Sequence, residues 1–491
     1  MKTRIATTLF VLFFLALPVK AQQIAVKTIP VATGGQFLLF PSQNLSMGGV
    51  GIALDDAWHD PFVNPAKGIN TEGFRFASAP VYYGVSMNEN FSQQGSSGRT
   101  LPMGLMARQG SFFGGAMMVW QELTQETRND VFFVADAFAF QPERNSTSLN
   151  NVYAWGMAGM QMPGTNLSVG LSAFVAGLNG LEGVRLLYFD GNRVDQSGQM
   201  SAFRAGLYQQ WQDGRSAELV VLHHRFAMDH DMPRWSIEGQ PITHTEQDRT
   251  RGWAVQTGYQ QPVGEGWQVG AQLVGDWKYH PKIPNYDVMQ IPRDPGNSSA
   301  YNMGIGLSRT IGQATFAVDL VYEPIWSHTW ADALENTPVV DPCLSCHEFI
   351  PAGEMTVENF FRFNNSIARM GLRRAGDHVD FALGLNVHTY RYHLDQENFV
   401  TQIERSQDES WNEWTASLGL GFTFTEFQVR YQGLLTLGTG RPGIDTGWRA
   451  FAEADAAALA SDFIVAPAGS LTLQEARVLT HQVSIIVPLT D

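Results

Sequence analysis

The sequence predicts an all-β protein, a transmembrane antiparallel β-barrel, on three observations. After residue 70 the chain is a succession of short segments that alternate apolar and polar residues, the period of a strand with one apolar face. Their connections alternate between tight turns and long polar stretches, as in barrels with short turns at one rim and long loops at the other. Behind its leader the chain has no run approaching the roughly 20 apolar residues that a membrane helix needs. A lipid-spanning strand needs only about ten, with one side apolar.

The leader is expected at residues 1–21. Lys2 and Arg4 give a positive start, an apolar stretch runs from Leu9 to Leu17, and Val19-Lys20-Ala21 makes a cleavage site before Gln22. No cysteine lies near that junction, so no lipid anchor is expected there. Cleavage removes Lys2, Arg4 and Lys20 and takes the formal charge from -15 to -18. So acidic a chain repels nucleic acid, and no nucleic-acid partner is expected. Charged residues make up only 16% of the chain, against about 25% in ordinary soluble domains. Its 48 glycines and 12% aromatics suit a wall with aromatics at the interfaces and glycines where it bends or crowds. A soluble secreted sandwich would share this composition but turn the same faces into a core.

Along the wall, Trp267, Val269, Ala271, Leu273 and Trp277 share one face, and Gln268, Gly270, Gln272 and Asp276 the other. The two tryptophans stand where opposite interfacial belts would lie. From Trp414 to Phe424 the design repeats, with Thr415, Ser417, Gly419, Gly421 and Thr423 on the polar side. Between Val379 and Val387 the odd positions are mostly bulky, so Asp380, Asn386 and His388 would face the lumen. Phe427, Val429 and Tyr431 oppose Gln428, Arg430 and Gln432 in the same way. Tight connections fall near 163–166, 212–215, 263–266, 311–313, 375–377 and 425–426. Long polar segments fall near 178–200, 225–251, 278–300, 323–361, 391–412 and 437–478. The strand count is about 16, with 131–141 hard to place and a last strand of roughly 479–488.

Residues 22–70 do not fit the wall. Their apolar content and turn-forming glycines predict a compact plug folded into the lumen, the alternative being a loose periplasmic leader. Ser46-Met47-Gly48-Gly49, Ala53-Leu54-Asp55-Asp56 and Asn64-Pro65-Ala66 stand just before the first strand. They resemble the N-terminal hatch of the FadL-type long-chain fatty-acid and hydrocarbon transporters, and of the related PorV/PorQ-like barrels of Bacteroidota-type bacteria. The resemblance implies 14 strands, a hatch at 22–70 inside a wall of 71–491, and the outer membrane of a Gram-negative (diderm) bacterium. It also implies that an apolar ligand caught outside leaves through a lateral opening in the wall.

Under that resemblance the expected function is passive uptake or holding of hydrophobic small molecules, without enzymatic chemistry. Trp326, Trp330, Phe361 and Phe363 are candidates for a ligand groove, with duty in an aromatic girdle the alternative for each. Two other functions stay open: a PorV-like scaffold that docks a secretion or surface protein, and a haem-bearing electron-transfer component. Within 437–478, Trp448, Phe451, Ala452, Asp455 and Leu459 fit one side of an amphipathic helix that would act as lid or docking element. Outer-membrane lipid and lipopolysaccharide would surround the barrel.

Cys343-Leu344-Ser345-Cys346-His347 uses both cysteines of the chain and spells the attachment motif of a c-type haem. Two thiols would bond to the porphyrin and His347 would reach the iron, with Met355 or His328 available as distal ligand. A loop disulfide, the usual fate of exposed thiol pairs outside the cell, explains the same residues with no cofactor at all. Zinc on Cys343, Cys346 and His347 would need a fourth ligand such as Asp341, Glu348 or water. No cofactor is the simplest expectation. His223 and His224 are strand neighbours, so they point to opposite faces and cannot share an ion. His230 between Asp229 and Asp231 reads as a wet loop. Calcium among the loop acids is a further option, but no regular spacing marks a site. Nucleophile-elbow, phosphate-loop and His-Glu-x-x-His motifs are absent, and no enzyme is expected.

Overall fold

The computed structural model describes residues 28–88, 92–129, 132–134, 137–139, 143–183, 194–235, 241–279, 296–333, 336–339, 348–444 and 471–489. Each strand of the wall pairs antiparallel with its neighbours in the chain, and the last, Leu471–Pro488, pairs with the first. That first strand is interrupted between Phe74–Ser78 and Val81–Asn88 at Ala79-Pro80, where the proline has no N–H to offer a partner. A second strand is likewise split into Pro241–Asp248 and Arg251–Gly264, both halves pairing with Ser216–Trp235. With these halves joined, the 18 hydrogen-bonded segments make a closed barrel of sixteen strands. The count from alternation stands, and the 14 implied by the resemblance is corrected. Of the segment 131–141, the described residues Phe132–Val134 and Ala137–Ala139 pair with each other antiparallel in a sheet apart from the wall.

One rim consists of short turns. Gly110, Gly164, Gly214, Gly266 and Gly312 take positive φ there, the conformation that glycine reaches without steric cost. Both ends of the wall return to this rim, where Leu489 N–H donates to the Phe74 carbonyl at 2.7 Å. Toward the other rim the strands run far beyond what the alternation showed. Val379–Asn398 and Ile403–Thr423 leave only 399–402 between them. Ser216–Trp235 and Pro241–Asp248 occupy most of 225–251. The segments 225–251 and 391–412, expected as loops, are therefore mostly strand.

The reason is a change in the outward residues. Val379, Phe381, Leu383, Leu385 and Val387 pair with Phe422, Leu420, Leu418, Ala416 and Trp414, an unbroken apolar outer face. The next outward pairs are Thr389 with Asn412, Arg391 with Ser410, and His393 with Asp408. Nine residues of strand tilted by about 40° rise roughly 23 Å, the height of the apolar band that lipid requires. Beyond that band the strands present polar residues to water and so read as loop. An aromatic belt including Trp253, Trp277, Tyr301, Trp326 and Trp414 marks the band's edge toward the long-loop rim. At the turn rim, Arg215 and Arg309 lie over the rings of Trp211 and Trp267.

Leu383→Arg, in the middle of the band, is expected to cost about 2–4 kcal/mol, while Asp408→Arg beyond it leaves stability unchanged. Urea titration of the reconstituted barrel, followed by its heat-modifiable gel mobility, measures both.

Candidate functional site

The inward faces carry polar residues and glycines on some strands and large apolar residues such as Met117, Trp155, Phe174 and Leu222 on others, and residues 28–70 pack against both. This segment holds only short helical turns, Leu45–Met47, Asp60–Val63 and Pro65–Asn70, so its backbone needs partners from elsewhere. The wall supplies them. Gln432 accepts from Ser46 N–H at 2.8 Å and donates to the Ser42 carbonyl at 2.9 Å. Asp319 accepts from Gly51 and Ile52 N–H at 2.8 and 3.2 Å. Ser417 hydroxyl accepts from Gly48 N–H and donates to Ser46 C=O, while Ser308 and Gln482 donate to Ala53 and Phe40 carbonyls.

The acidic and Asn-Pro motifs act inside the segment. The Asp56 carboxylate accepts from the Ser42 hydroxyl at 2.6 Å and from four backbone N–H groups, those of Gln43, Asn44, Trp58 and His59. Buried Lys67 meets Asp55 at 3.3 Å, Asp60 at 3.0 Å and the wall's Glu218 at 3.5 Å. Asn64 accepts from Ala66 N–H and donates to Glu218, fixing the turn into Pro65-Ala66. A second charged group, Asp380 with Arg373 and Arg430 of the wall, lies beside Trp58, over whose ring Arg430 sits at 5.7 Å.

Close approach depends on glycine. A β-carbon at Gly170, Gly206, Gly270, Gly306, Gly371, Gly384 or Gly419 would collide with atoms of residues 46–66. These glycines sit on seven different strands and form a seat around the lumen. Gly48 and Gly49, with φ of 73° and 75°, make the turn that rests on it.

Toward the long-loop rim an apolar cluster lies inside, between inward rows that hold the polar Asn365 with Glu323 and Asn359 with Gln396. Ile325, Phe363 and Tyr392 are paired across three strands and face inward, as do Phe361 and Leu394 in the adjacent row. Ile29, Val31 and Ala32 belong to the same buried cluster. Residues 30–32 are held by Gly440, which accepts from Ala32 N–H at 2.7 Å and donates to the Pro30 carbonyl at 2.8 Å. Gln36 closes the arrangement. It donates to Gly180 C=O and accepts from Glu182 N–H, while Gln121 donates to its carbonyl.

Among the residues singled out from sequence, Met47, Gly48, Gly49, Asp55, Asp56, Asn64, Pro65 and Ala66 lie together within the barrel. Phe361 and Phe363 face the interior. Trp326 and Trp330 do not join them: Trp326 is half exposed in the outer belt at 48%, and Trp330 lies against His328 on the same outward face. His328 is held by Glu358 at 2.7 Å and stacked on Phe360. Met355 opens the strand Met355–Ala375. Cys343, Cys346, His347 and the helix expected over 448–459 lie outside the described residues, while the ends of the 437–478 segment belong to strands Gln428–Ile444 and Leu471–Pro488. The alternation places Gly270 and Gly419 on the polar face but not as seats, and it does not mark Gln36, Gln121 or the other seating glycines, although glycine repeats at inward positions such as 304, 306, 384, 419 and 421.

No family model matches the chain, and neither does any curated protein. Solved structures similar to it include the Pseudomonas putida toluene transporter TodX, with 11% identity, a TM-score of 0.43, and 91% of this chain and 97% of that one covered. The Ralstonia pickettii toluene transporter TbuX gives 10% identity and a TM-score of 0.39 over 90% and 97% of the two chains. A Pseudomonas aeruginosa FadL homologue gives 11% and 0.39 over 94% and 100%. Values this low leave the functional reading to the residues of this chain.

Gly384→Val is expected to unseat the turn at Gly48 and raise single-channel conductance in planar bilayers. Gly177→Ala, where nothing lies within 4 Å of the added carbon, leaves conductance at the wild-type level.

Proposed function

We propose that this chain is an outer-membrane barrel of a diderm bacterium that passively takes up hydrophobic small molecules, with residues 28–70 as its plug. The observation that carries this reading is an inversion of the wall. On strands Val379–Asn398 and Ile403–Thr423, apolar residues face outward within the band, and mostly glycines and polar groups face inward. Beyond it, Arg391, His393 and Asp395 face outward while Tyr392, Leu394, Phe361 and Phe363 face inward. An apolar cluster therefore lies inside the part of the barrel that water would surround, where a sparingly soluble molecule would first be met.

Binding needs only burial. Covering about 200 Å² of apolar ligand surface at roughly 25 cal/mol per Å² gives about 5 kcal/mol, a dissociation constant on the order of 0.1 mM. Capture at that strength is reversible without an energy source. A ligand at this cluster would compete with Ile29 and Val31 for the same apolar wall. Displacing them would pull on the backbone that Gly440 and Gln36 hold, and through it on the seated turn below. The plug would thus be loosened from its outer end. Phe361 and Phe363 are the groove residues of this proposal, and Trp326 and Trp330 are assigned to the girdle.

Deletion of residues 24–66 is expected to leave an inserted barrel with increased leak of small polar solutes; unchanged bilayer conductance would refute the plug. Phe363→Ser should reduce by tenfold or more the apolar ligand recovered by solvent extraction of the purified barrel. Extracts of wild type no richer than detergent controls would count against hydrophobic uptake.

A further inference from the structure

On the outer face of strands Ser216–Trp235, Arg251–Gly264 and Trp267–Tyr279, the register lays down residues in ordered rows. Leu219, Thr257 and Leu273 are directly paired, and the next row holds Val221, Val255 and Gly275. Then come His223, Trp253 and Trp277, and beyond them Arg225, Arg251 and Tyr279. Paired residues of antiparallel strands share a face, and successive rows on that face stand about 6.6 Å apart along the strand. Moving outward from the middle of the membrane, the wall presents an apolar surface, then aromatic rings, then guanidinium groups.

The last two rows are not flat. They line a recess of about 780 Å³ whose rim also includes Arg249 and Asn297. Arg251 lies 4.8 Å over the Tyr279 ring, and His223 packs against Trp253 with ring centroids 4.5 Å apart. Asp229 pairs with Arg249, which leaves the recess with more cationic than acidic groups on a chain whose net charge is -15. The corresponding rows on Val379–Asn398 and Ile403–Thr423, just beyond the band, are Thr389 with Asn412 and Arg391 with Ser410. Those two strands place one arginine, Arg391, in these rows, where the three strands here place Arg225 and Arg251 side by side.

We propose that this recess binds the phosphorylated sugar headgroup of a lipopolysaccharide molecule in the outer leaflet. The order of rows matches the order of that lipid's parts. Its acyl chains would lie on Val221 and Val255, its sugar against Trp253 and Trp277, and a phosphate between Arg225 and Arg251. The guanidinium fork suits phosphate oxygens, and neighbouring aromatic faces suit the apolar side of a sugar ring. The site rests on the outer-membrane reading above and is separate from the inner apolar cluster, since these residues face outward.

The test uses the full barrel in phosphatidylcholine nanodiscs, titrated with bisphosphorylated lipid A and read by native mass spectrometry. Wild type is expected to retain one lipid A molecule. The R225Q/R251Q double variant should bind it at least tenfold more weakly, as should wild type offered dephosphorylated lipid A. R309Q, at the opposite rim, should bind as wild type does. Equal retention by wild type and the double variant overturns the proposal, and so does inorganic phosphate that competes as strongly as lipid A itself. Should R225Q/R251Q fail to fold, R225K/R251K keeps the charge but loses the fork, and binding equal to wild type would again overturn it. A wild-type chain that does not insert into bilayers would instead refute the outer-membrane reading; insertion without lipid A retention sinks the headgroup site alone.

Discussion

Every backbone N–H and C=O removed from water must find a partner, and this single constraint organises both the wall and what fills it. Strands in lipid can meet it only by pairing on both sides, so the sheet closes and the last strand bonds to the first. Closure creates an interior large enough to need filling. The segment that fills it has almost no regular structure of its own and cannot satisfy its backbone by itself. Gln432, Asp319, Ser417, Ser308 and Gln482 do so from the wall, while Asp56 does so from within. The polar lining of the barrel thus acts as the hydrogen-bonding complement of an irregular chain.

Sterics set the second condition. Hydrogen bonds of about 3 Å between a wall side chain and the backbone of another segment require the two surfaces to touch. Side chains at every inward position would keep them apart, and the seven seating glycines remove that obstacle where contact is closest. The abundance of glycine, which at first suggests only a wall that bends, has this further cause.

The alternation was most legible where it mattered to lipid. Trp267 to Trp277 and Trp414 to Phe424 were readable because bilayer contact demands uniformly apolar outer residues. At Thr389–Asp395 and Ser406–Asn412 the demand is lifted, and polar outward residues alternate with a mixed interior. The same strands then resemble polar loop, although their pairing continues unbroken to Asn398 with Ile403. Resemblance in the segment before the first strand pointed to its packing motifs, yet the 14 strands it implied were two too few. Sixteen came from counting alternating segments, since each hairpin must write its own pair of them.

The sequence by itself determined the class of fold, the turn rim and a count of about sixteen alternating segments, because a strand's side-chain period of two is a local property. Only the tertiary structure decided which inward residues meet residues 28–70. Gly48 touches Gly384, and Ser46 bonds to Gln432, across hundreds of residues of chain. Tertiary structure also separated Phe361 and Phe363, which face the interior, from Trp326 in the outer belt. Aromatic residues on neighbouring strands look alike in sequence. Their fates part when the sheet closes, because closure turns one face of each strand to the interior and the other to lipid or water.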